Sequence, residues 1–288
     1  MTQAATERVA DWREALNPPI YLVSILPGLG VWWLARGDVQ FTLGLLLATL
    51  AVVLVQHAIN LYNDAADWRL GADTEKHDSW VRVHDQRPSV AVVHGTVALL
   101  VGGLLGIVVL WLQDQLWLMA VALPMVGLGY LYNAGEKPLS YTHLGEWVTG
   151  LCYGPGVFGC LWLVAGRPAD ASWVAGSLAF AALAVALLLS HQPPQIETDR
   201  RAGKYSFAVR YGVRATRLTA RVLFTVFVVA MLAGAASRDD SVVWWLHVAV
   251  AAVLMAYVAS VGINPKTILL SASAFVLSGL AAMHLGTI

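Results

Sequence analysis

The chain has 288 residues, of which 58% are hydrophobic and only 12% charged, where soluble domains carry roughly 25% charged residues. A mean hydropathy of +0.65 excludes a soluble globular protein, because a chain of this length cannot hide so much apolar surface from water. The formal net charge is zero, so bulk electrostatics names no partner.

The first 17 residues hold Glu7, Arg8, Asp11, Arg13 and Glu14. This mixture is not the basic leader of a signal peptide. It reads as a short interfacial segment ahead of Pro18 and Pro19. Nine apolar stretches of spanning length follow, at about 19–36, 41–62, 90–112, 116–132, 145–165, 172–190, 219–236, 242–262 and 267–285. With the N-terminus inside, every Lys and Arg except Arg36, Arg167 and Arg238 falls on the inner side. The positive-inside rule then gives an N-in, C-out topology. The outer loops (37–40, 112–115, 166–171 and 237–241) are short, whereas the inner loops 63–89 and 191–218 are long. Long loops are usually functional, so chemistry is expected on the inner face. Trp32, Trp33, Trp111, Trp117, Trp244 and Trp245 lie near outer helix ends, as aromatic belts do. Cys152 and Cys160 share one apolar stretch and read as small buried hydrophobes.

The second stretch ends in the first acidic cluster. His57, Asn60, Asp64 and Asp67 recur at spacings of three and four, so they share one helix face. Two carboxylates and nearby amides are hard oxygen donors, which suit Mg²⁺ shared with substrate phosphates. Acidic groups at a helix C-terminus oppose the macrodipole, and polar residues at membrane depth are costly without a role. For His57, a satisfied polar group within the helix is an equally good reading. Asp73 lies beyond the turn at Gly71.

The run Asn63-Asp64-Ala-Ala-Asp67-Trp-Arg69-Leu-Gly71-Ala-Asp73 resembles the first Asp-rich motif of the UbiA superfamily of intramembrane prenyltransferases. It is most similar to the menaquinone-pathway branch, which attaches a polyprenyl chain to 1,4-dihydroxy-2-naphthoate. The resemblance spans nearly the whole chain. It implies an all-α fold of nine transmembrane helices around a central cavity, as a single domain over 1–288. A weak echo between helices 1–4 and 5–8 adds an internal repeat, with Gln195 to Asp199 answering Asn63 to Asp67.

The second motif matches in its tail, Asp199-Arg200-Arg201-Ala-Gly203-Lys204, but departs before it. The family's first Asp is Gln195, and its Asn-Asn lead is His191-Gln192. Gln offers a carbonyl oxygen without negative charge, so Mg²⁺ binding should weaken. Pro193-Pro194 should break the helix. His191 reads equally as a ligand, a donor to substrate or a packed histidine. Between helices 4 and 5, Lys137 could meet a diphosphate oxygen, and Glu146 could pair with Lys137 or bind substrate. Gly154-Pro155 reads as a kink.

The resemblance therefore implies catalytic roles for Asp64, Asp67 and Asp199. Asn60, Asp64, Asp67, Gln195 and Asp199 would hold Mg²⁺. Asn60, Asn63, Arg69, Lys137, His191, Gln195, Arg200 and Lys204 would contact the diphosphate. The expected partners are a prenyl diphosphate, an aromatic acceptor of naphthoate type, and the lipid bilayer. Nothing points to nucleic acid. The localisation expected is integral membrane, multi-pass, with the active-site loops cytoplasmic, in a bacterial inner membrane. The alternatives left open are another prenyltransferase or terpene cyclase of secondary metabolism, and a non-catalytic prenyl-diphosphate-binding protein.

Overall fold

The structure is a computed structural model that describes residues 11–72, 74, 76, 78–236 and 242–285. Glu7, Arg8, Asp73 and the loop 237–241 with its Arg238 lie outside the described residues. Among the described residues the regular elements are all helical, and nine helices are long and apolar enough to cross a membrane. The described part of the N-terminal segment holds the short helix α1 (Trp12–Leu16), started by a capping box in which Asp11 and Glu14 satisfy each other's backbone N–H groups. A 3₁₀ turn at Pro18–Tyr21 leads into α2 (Leu22–Leu34). Then come α3 (Thr42–Leu70), α4 (Trp80–Val83), α5 (Pro88–Leu112) and α6 (Met119–Asn133).

The second half begins with α7 (Gly145–Leu151), which continues through a π-helical segment, Cys152–Gly159, into α8 (Cys160–Val164). The kink expected at Pro155 is thus taken up as π-helix. Proline has no N–H to bond the preceding turn, and a wider turn absorbs the defect. Next are α9 (Ala171–His191), a 3₁₀ turn at Pro193–Gln195, α10 (Ile196–Arg201), α11 (Phe207–Ala236), α12 (Val242–Val261) and α13 (Pro265–Leu285). The break expected at Pro193-Pro194 is present as that turn.

Two expected loops are largely helical. Helix α3 runs past the apolar boundary near residue 62 to Leu70, where Gly71 (φ 84°) ends it. Hydropathy marks where the bilayer ends, and a helix with good formers such as Ala65, Ala66 and Leu70 continues beyond it. Helix α11 likewise starts at Phe207 rather than near 219, and bends at Gly212, whose φ of 77° and ψ of 169° only glycine adopts readily.

Helices pack through small residues, as expected where lipid removes the hydrophobic drive for association. Helix α3 lies along α5, and α9 along α11. At Gly102 of α5 a Cβ would sit 2.8 Å from the Leu54 Cβ of α3, so only glycine allows that approach. At one end of the bundle the short loops bind each other: Gln40 N–H donates to the Ala165 carbonyl over 3.2 Å, and Arg167 pairs with Asp38. The two acidic segments gather on a single cavity.

Candidate active site

The cavity has a volume of about 410 Å³. Residues from the 3₁₀ turn before α2, from α3, the 76–80 segment, α6, α7 and its π-helical extension, α9 and the second acidic segment all reach it. The π-helical turn contributes Cys152 and Tyr153, so the irregular backbone lies where it borders the cavity.

Helix α3 brings His57, Asn60, Asn63, Asp64 and Asp67 to the cavity, as the three-and-four spacing requires. Both carboxylates are engaged by protein donors. Asp64 accepts from the Lys76 ammonium (3.2 Å) and the Trp80 N–H (2.7 Å), the first N–H of α4. Asp67, only 2% exposed, accepts from the Tyr141 hydroxyl (2.8 Å), the Lys204 ammonium (3.2 Å) and the Asn63 amide (3.2 Å). That amide also donates to Asn133 (3.0 Å), whose own amide donates to the Ile59 carbonyl (3.0 Å). These donors offset the unfavourable end of the α3 dipole.

The second segment reaches the cavity through His191, Gln192, Gln195, Asp199 and Lys204. Its anchor is Glu146, which accepts from the Phe207 N–H (2.9 Å), the Arg210 guanidinium (2.9 Å) and the Gln192 amide (3.3 Å). The Gln192 carbonyl takes the Ala208 N–H (3.1 Å). The turn after α10 closes with the Lys204 N–H on the Asp199 carbonyl (2.8 Å). Tyr141 joins the halves: its hydroxyl is on Asp67, its carbonyl receives the Tyr205 N–H (3.0 Å), and its ring lies under the Lys204 ammonium (5.2 Å). His191 Nδ1 lies 2.9 Å from the Leu187 carbonyl. A carbonyl can only accept, so Nδ1 carries the proton.

Three residues expected at the diphosphate stand apart from this cavity. Arg69 is exposed, two residues past Asp67 and therefore on the opposite side of α3. Arg200 is exposed and pairs with Glu197 at 2.8 Å, one step around α10 from the buried Asp199. Lys137 is exposed in the turn after α6. Glu146 pairs with Arg210 instead of Lys137, because α7 turns its carboxylate toward α11. Sequence reasoning gave no role to Lys76, Asp78 or Tyr141. Lys76 and Asp78 follow the first motif within its loop, and proximity to that motif is the one signal that could have drawn attention to them.

Asn60, Asp64, Asp67, Asp78, Gln195 and Asp199 all line one cavity, and their side chains offer oxygen donors of the kind Mg²⁺ takes. Among the described residues no three His, Cys, Asp or Glu side chains converge into a metal cage.

A sequence model of the UbiA prenyltransferase family matches residues 22–280. The chain is 30% identical to a 1,4-dihydroxy-2-naphthoate octaprenyltransferase of Mycobacterium tuberculosis, over 75% of this chain and 75% of that protein. It is 31% identical to a 2-carboxy-1,4-naphthoquinone phytyltransferase of Synechocystis, over 77% of this chain and 71% of that protein. The fold is that of a UbiA homolog from Archaeoglobus fulgidus solved with DMAPP and Mg²⁺, with a TM-score of 0.65 and 15% identity over 96% of this chain and 99% of that one.

Proposed function

The chain belongs to the UbiA prenyltransferase family, and from that premise we propose that it joins the prenyl group of a prenyl diphosphate to a hydroxylated naphthoate-type ring, as a step of menaquinone-type quinone formation. The observation that carries this reading is the composition of one cavity. Carboxylates from two distant segments border it beside Lys76 and Lys204, while Leu187, Leu188, Tyr132 and Tyr153 form other walls. A polar end for a diphosphate thus adjoins an apolar, aromatic end for a ring and an allylic carbon. The acceptor class is supported by the naphthoate and naphthoquinone substrates named for the relatives from Mycobacterium tuberculosis and Synechocystis.

Asn60, Asp64, Asp67, Gln195 and Asp199 would hold Mg²⁺, with Asp78 beside them. Bound there, Mg²⁺ supplies Lewis-acid neutralisation of the diphosphate charge. Lys76 and Lys204 turn from their carboxylates to the diphosphate oxygens as point-charge donors. The bond between the prenyl C1 and the diphosphate oxygen breaks, and its electron pair leaves with the diphosphate. A ring π pair of the acceptor forms the new carbon–carbon bond at C1. The ring carbon then gives its proton to an oxygen of the departed diphosphate, or loses its carboxylate as CO₂, and the freed pair restores aromaticity. The apolar walls exclude water that would capture the allylic carbon, and the faces of Tyr132 and Tyr153 favour a passing cation. A cavity of this size holds a drug-sized molecule, so a long prenyl tail runs out between helices into lipid. The basic residues around both acidic segments support a site on the cytoplasmic side, with an N-in, C-out topology.

The test is to incubate purified protein with Mg²⁺ and farnesyl or longer diphosphates, with and without hydroxylated naphthoates and benzoates, and to weigh the products. Adducts that require the naphthoate support the reading. Acceptor-free terpene products would make the protein a cyclase, and intact diphosphate throughout would make it a binding protein.

A further inference from the structure

Above the acidic residues, the cavity contains a polar patch that the diphosphate does not use. Tyr21, Gln56 and His57 all line it. The Tyr21 hydroxyl lies 2.7 Å from His57 Nδ1, and the two rings meet edge to face with centroids 5.8 Å apart. The Gln56 amide donates to the Ile20 carbonyl over 3.2 Å, next along the chain from Tyr21. That bond fixes which end of the amide is which, because a carbonyl accepts only from the NH₂ end. The Gln56 Oε1 is left buried without a partner, on a residue only 7% exposed. An unpaired acceptor at membrane depth is costly and calls for a donor.

The patch also lies at a suitable distance. His57 is seven residues before Asp64 on one face of α3, which is about 10 Å along the helix. Asn60 lies between them. A ring seated beside Tyr153 and Leu187 would therefore lie past the diphosphate end, within reach of the prenyl C1.

We infer that Tyr21, Gln56 and His57 form the acceptor's hydroxyl-binding subsite, and that this subsite selects a free aromatic hydroxyl over its methyl ether or the oxidised carbonyl. The inference rests on the prenyltransferase reading above. The acceptor O–H donates to Gln56 Oε1. When His57 donates its Nδ1–H to the Tyr21 oxygen, the Tyr21 hydroxyl hydrogen turns outward and donates to the acceptor oxygen. A ring carbonyl or ether brings no hydrogen for Gln56, and the Gln56 amide is already spent on Ile20. The hydroxyl that the subsite requires also makes the ring electron-rich enough to attack.

The experiment uses the full-length protein in detergent or vesicles with Mg²⁺, a prenyl diphosphate, 1,4-dihydroxy-2-naphthoate and its two mono-O-methyl ethers. The wild type should favour the dihydroxy ring over one of the ethers by about tenfold or more in kcat/KM, the effect of a lost hydrogen bond. Tyr21→Phe should raise the KM by about tenfold for the dihydroxy ring and the ether alike, because either oxygen accepts from the Tyr21 hydroxyl, and leave the KM for prenyl diphosphate unchanged. Gln56→Met, a second and similar-sized change, should raise the acceptor KM and also shrink the preference over that ether, because only Gln56 Oε1 needs the hydroxyl hydrogen. A structural role would move both KM values together or lower protein yield without touching the preference. If the wild type transfers to the dihydroxy ring but both variants keep its acceptor KM and preference, the subsite is wrong and the prenyltransferase reading stands. If the wild type transfers to no hydroxylated ring, both fall.

Discussion

The two acidic segments reach the same cavity by different means. The first lies on unbroken α3, so helical spacing alone aligns Asn60, Asp64 and Asp67. Its carboxylates are then held by Lys76, Trp80, Tyr141 and Lys204. The second follows a Pro-Pro break and lies on the six-residue helix α10. A helix that short cannot hold its own geometry in isolation. Its orientation comes from Glu146 and Gln192, which tie its approach to the start of α11. One segment is ordered by its own backbone, the other by a buried charge on a different helix. The two should therefore fail differently.

The largest effect is expected in the first. Asp67→Ala removes the acceptor shared by Tyr141, Lys204 and Asn63, and Asp64→Ala that of Lys76 and Trp80. Each should lower transfer by about 10³-fold, the scale of losing one preorganised electrostatic group in an active site. Helicity and membrane insertion should be unchanged, because α3 needs neither side chain to form. Circular dichroism beside product assays checks the pair, and near-normal turnover in either variant would take that carboxylate out of the site.

Asp67→Ala also removes the carboxylate that pairs with the Lys204 ammonium, whose side chain is 18% exposed, and should lower the melting temperature. In the second segment the loss of activity should come through position rather than through a lost metal-site carboxylate. Glu146→Ala strands the Arg210 guanidinium, whose side chain is 23% exposed, and releases the Phe207 and Gln192 donors. Breaking such a partly buried pair costs about 3 kcal/mol, and a displacement of about 1 Å at a reacting group costs on the order of 10²-fold in rate. The variant should melt at a lower temperature and turn over roughly 10²-fold more slowly. Glu146→Gln, which keeps an acceptor for the Phe207 N–H, should recover part of both. If the two variants match the wild type in melting temperature and rate, Glu146 does not position the second segment.

This contrast also explains what the sequence makes legible. The nine apolar stretches match the nine spanning helices of the described residues because length and hydropathy report directly on the bilayer. The cavity-facing set on α3 was readable because a helix converts spacing into a shared face. The reach of α3 to Leu70 was not, since hydropathy falls at the lipid boundary while the hydrogen-bond ladder continues. The role of Tyr141 and the true partner of Glu146 were hidden for another reason: Asp67 and Arg210 are more than sixty positions away from them, and no local pattern encodes such pairings. Arg69 and Arg200 were drawn in by adjacency to Asp67 and Asp199. Adjacency along a helix turns a side chain away rather than toward its neighbour.

A smaller effect separates the lysines. Lys204 bridges the segments by pairing with Asp67, whereas Lys137 is exposed outside the cavity. Lys204→Ala should raise the KM for prenyl diphosphate by about tenfold, the lower end for a charge-assisted hydrogen bond. Lys137→Ala and Arg200→Ala should stay within about twofold, as surface charges usually do. Steady-state kinetics on the three variants is sufficient, and equal losses at Lys137 and Lys204 would erase the distinction between the two positions.

A smaller effect than at Lys204 falls on Gln195, where the segments differ most in chemistry. The first brings two carboxylates to the cavity, and the second brings Asp199 with a neutral amide at Gln195. Gln195→Asp adds one negative charge without adding a cation. Divalent-cation affinity rises with the charge of the ligand set, so the Mg²⁺ concentration for half-maximal activity should fall by about two- to fivefold. In the absence of Mg²⁺ the same charge repels Asp199 and is offset only by the lysines, so the variant should then be less stable than the wild type. Opposite signs with and without the ion make the test specific: a general perturbation of the turn would weaken both states. A Mg²⁺ requirement that is unchanged or higher would mean that Gln195 stands away from the ion and that the first segment supplies its charge with Asp199 alone.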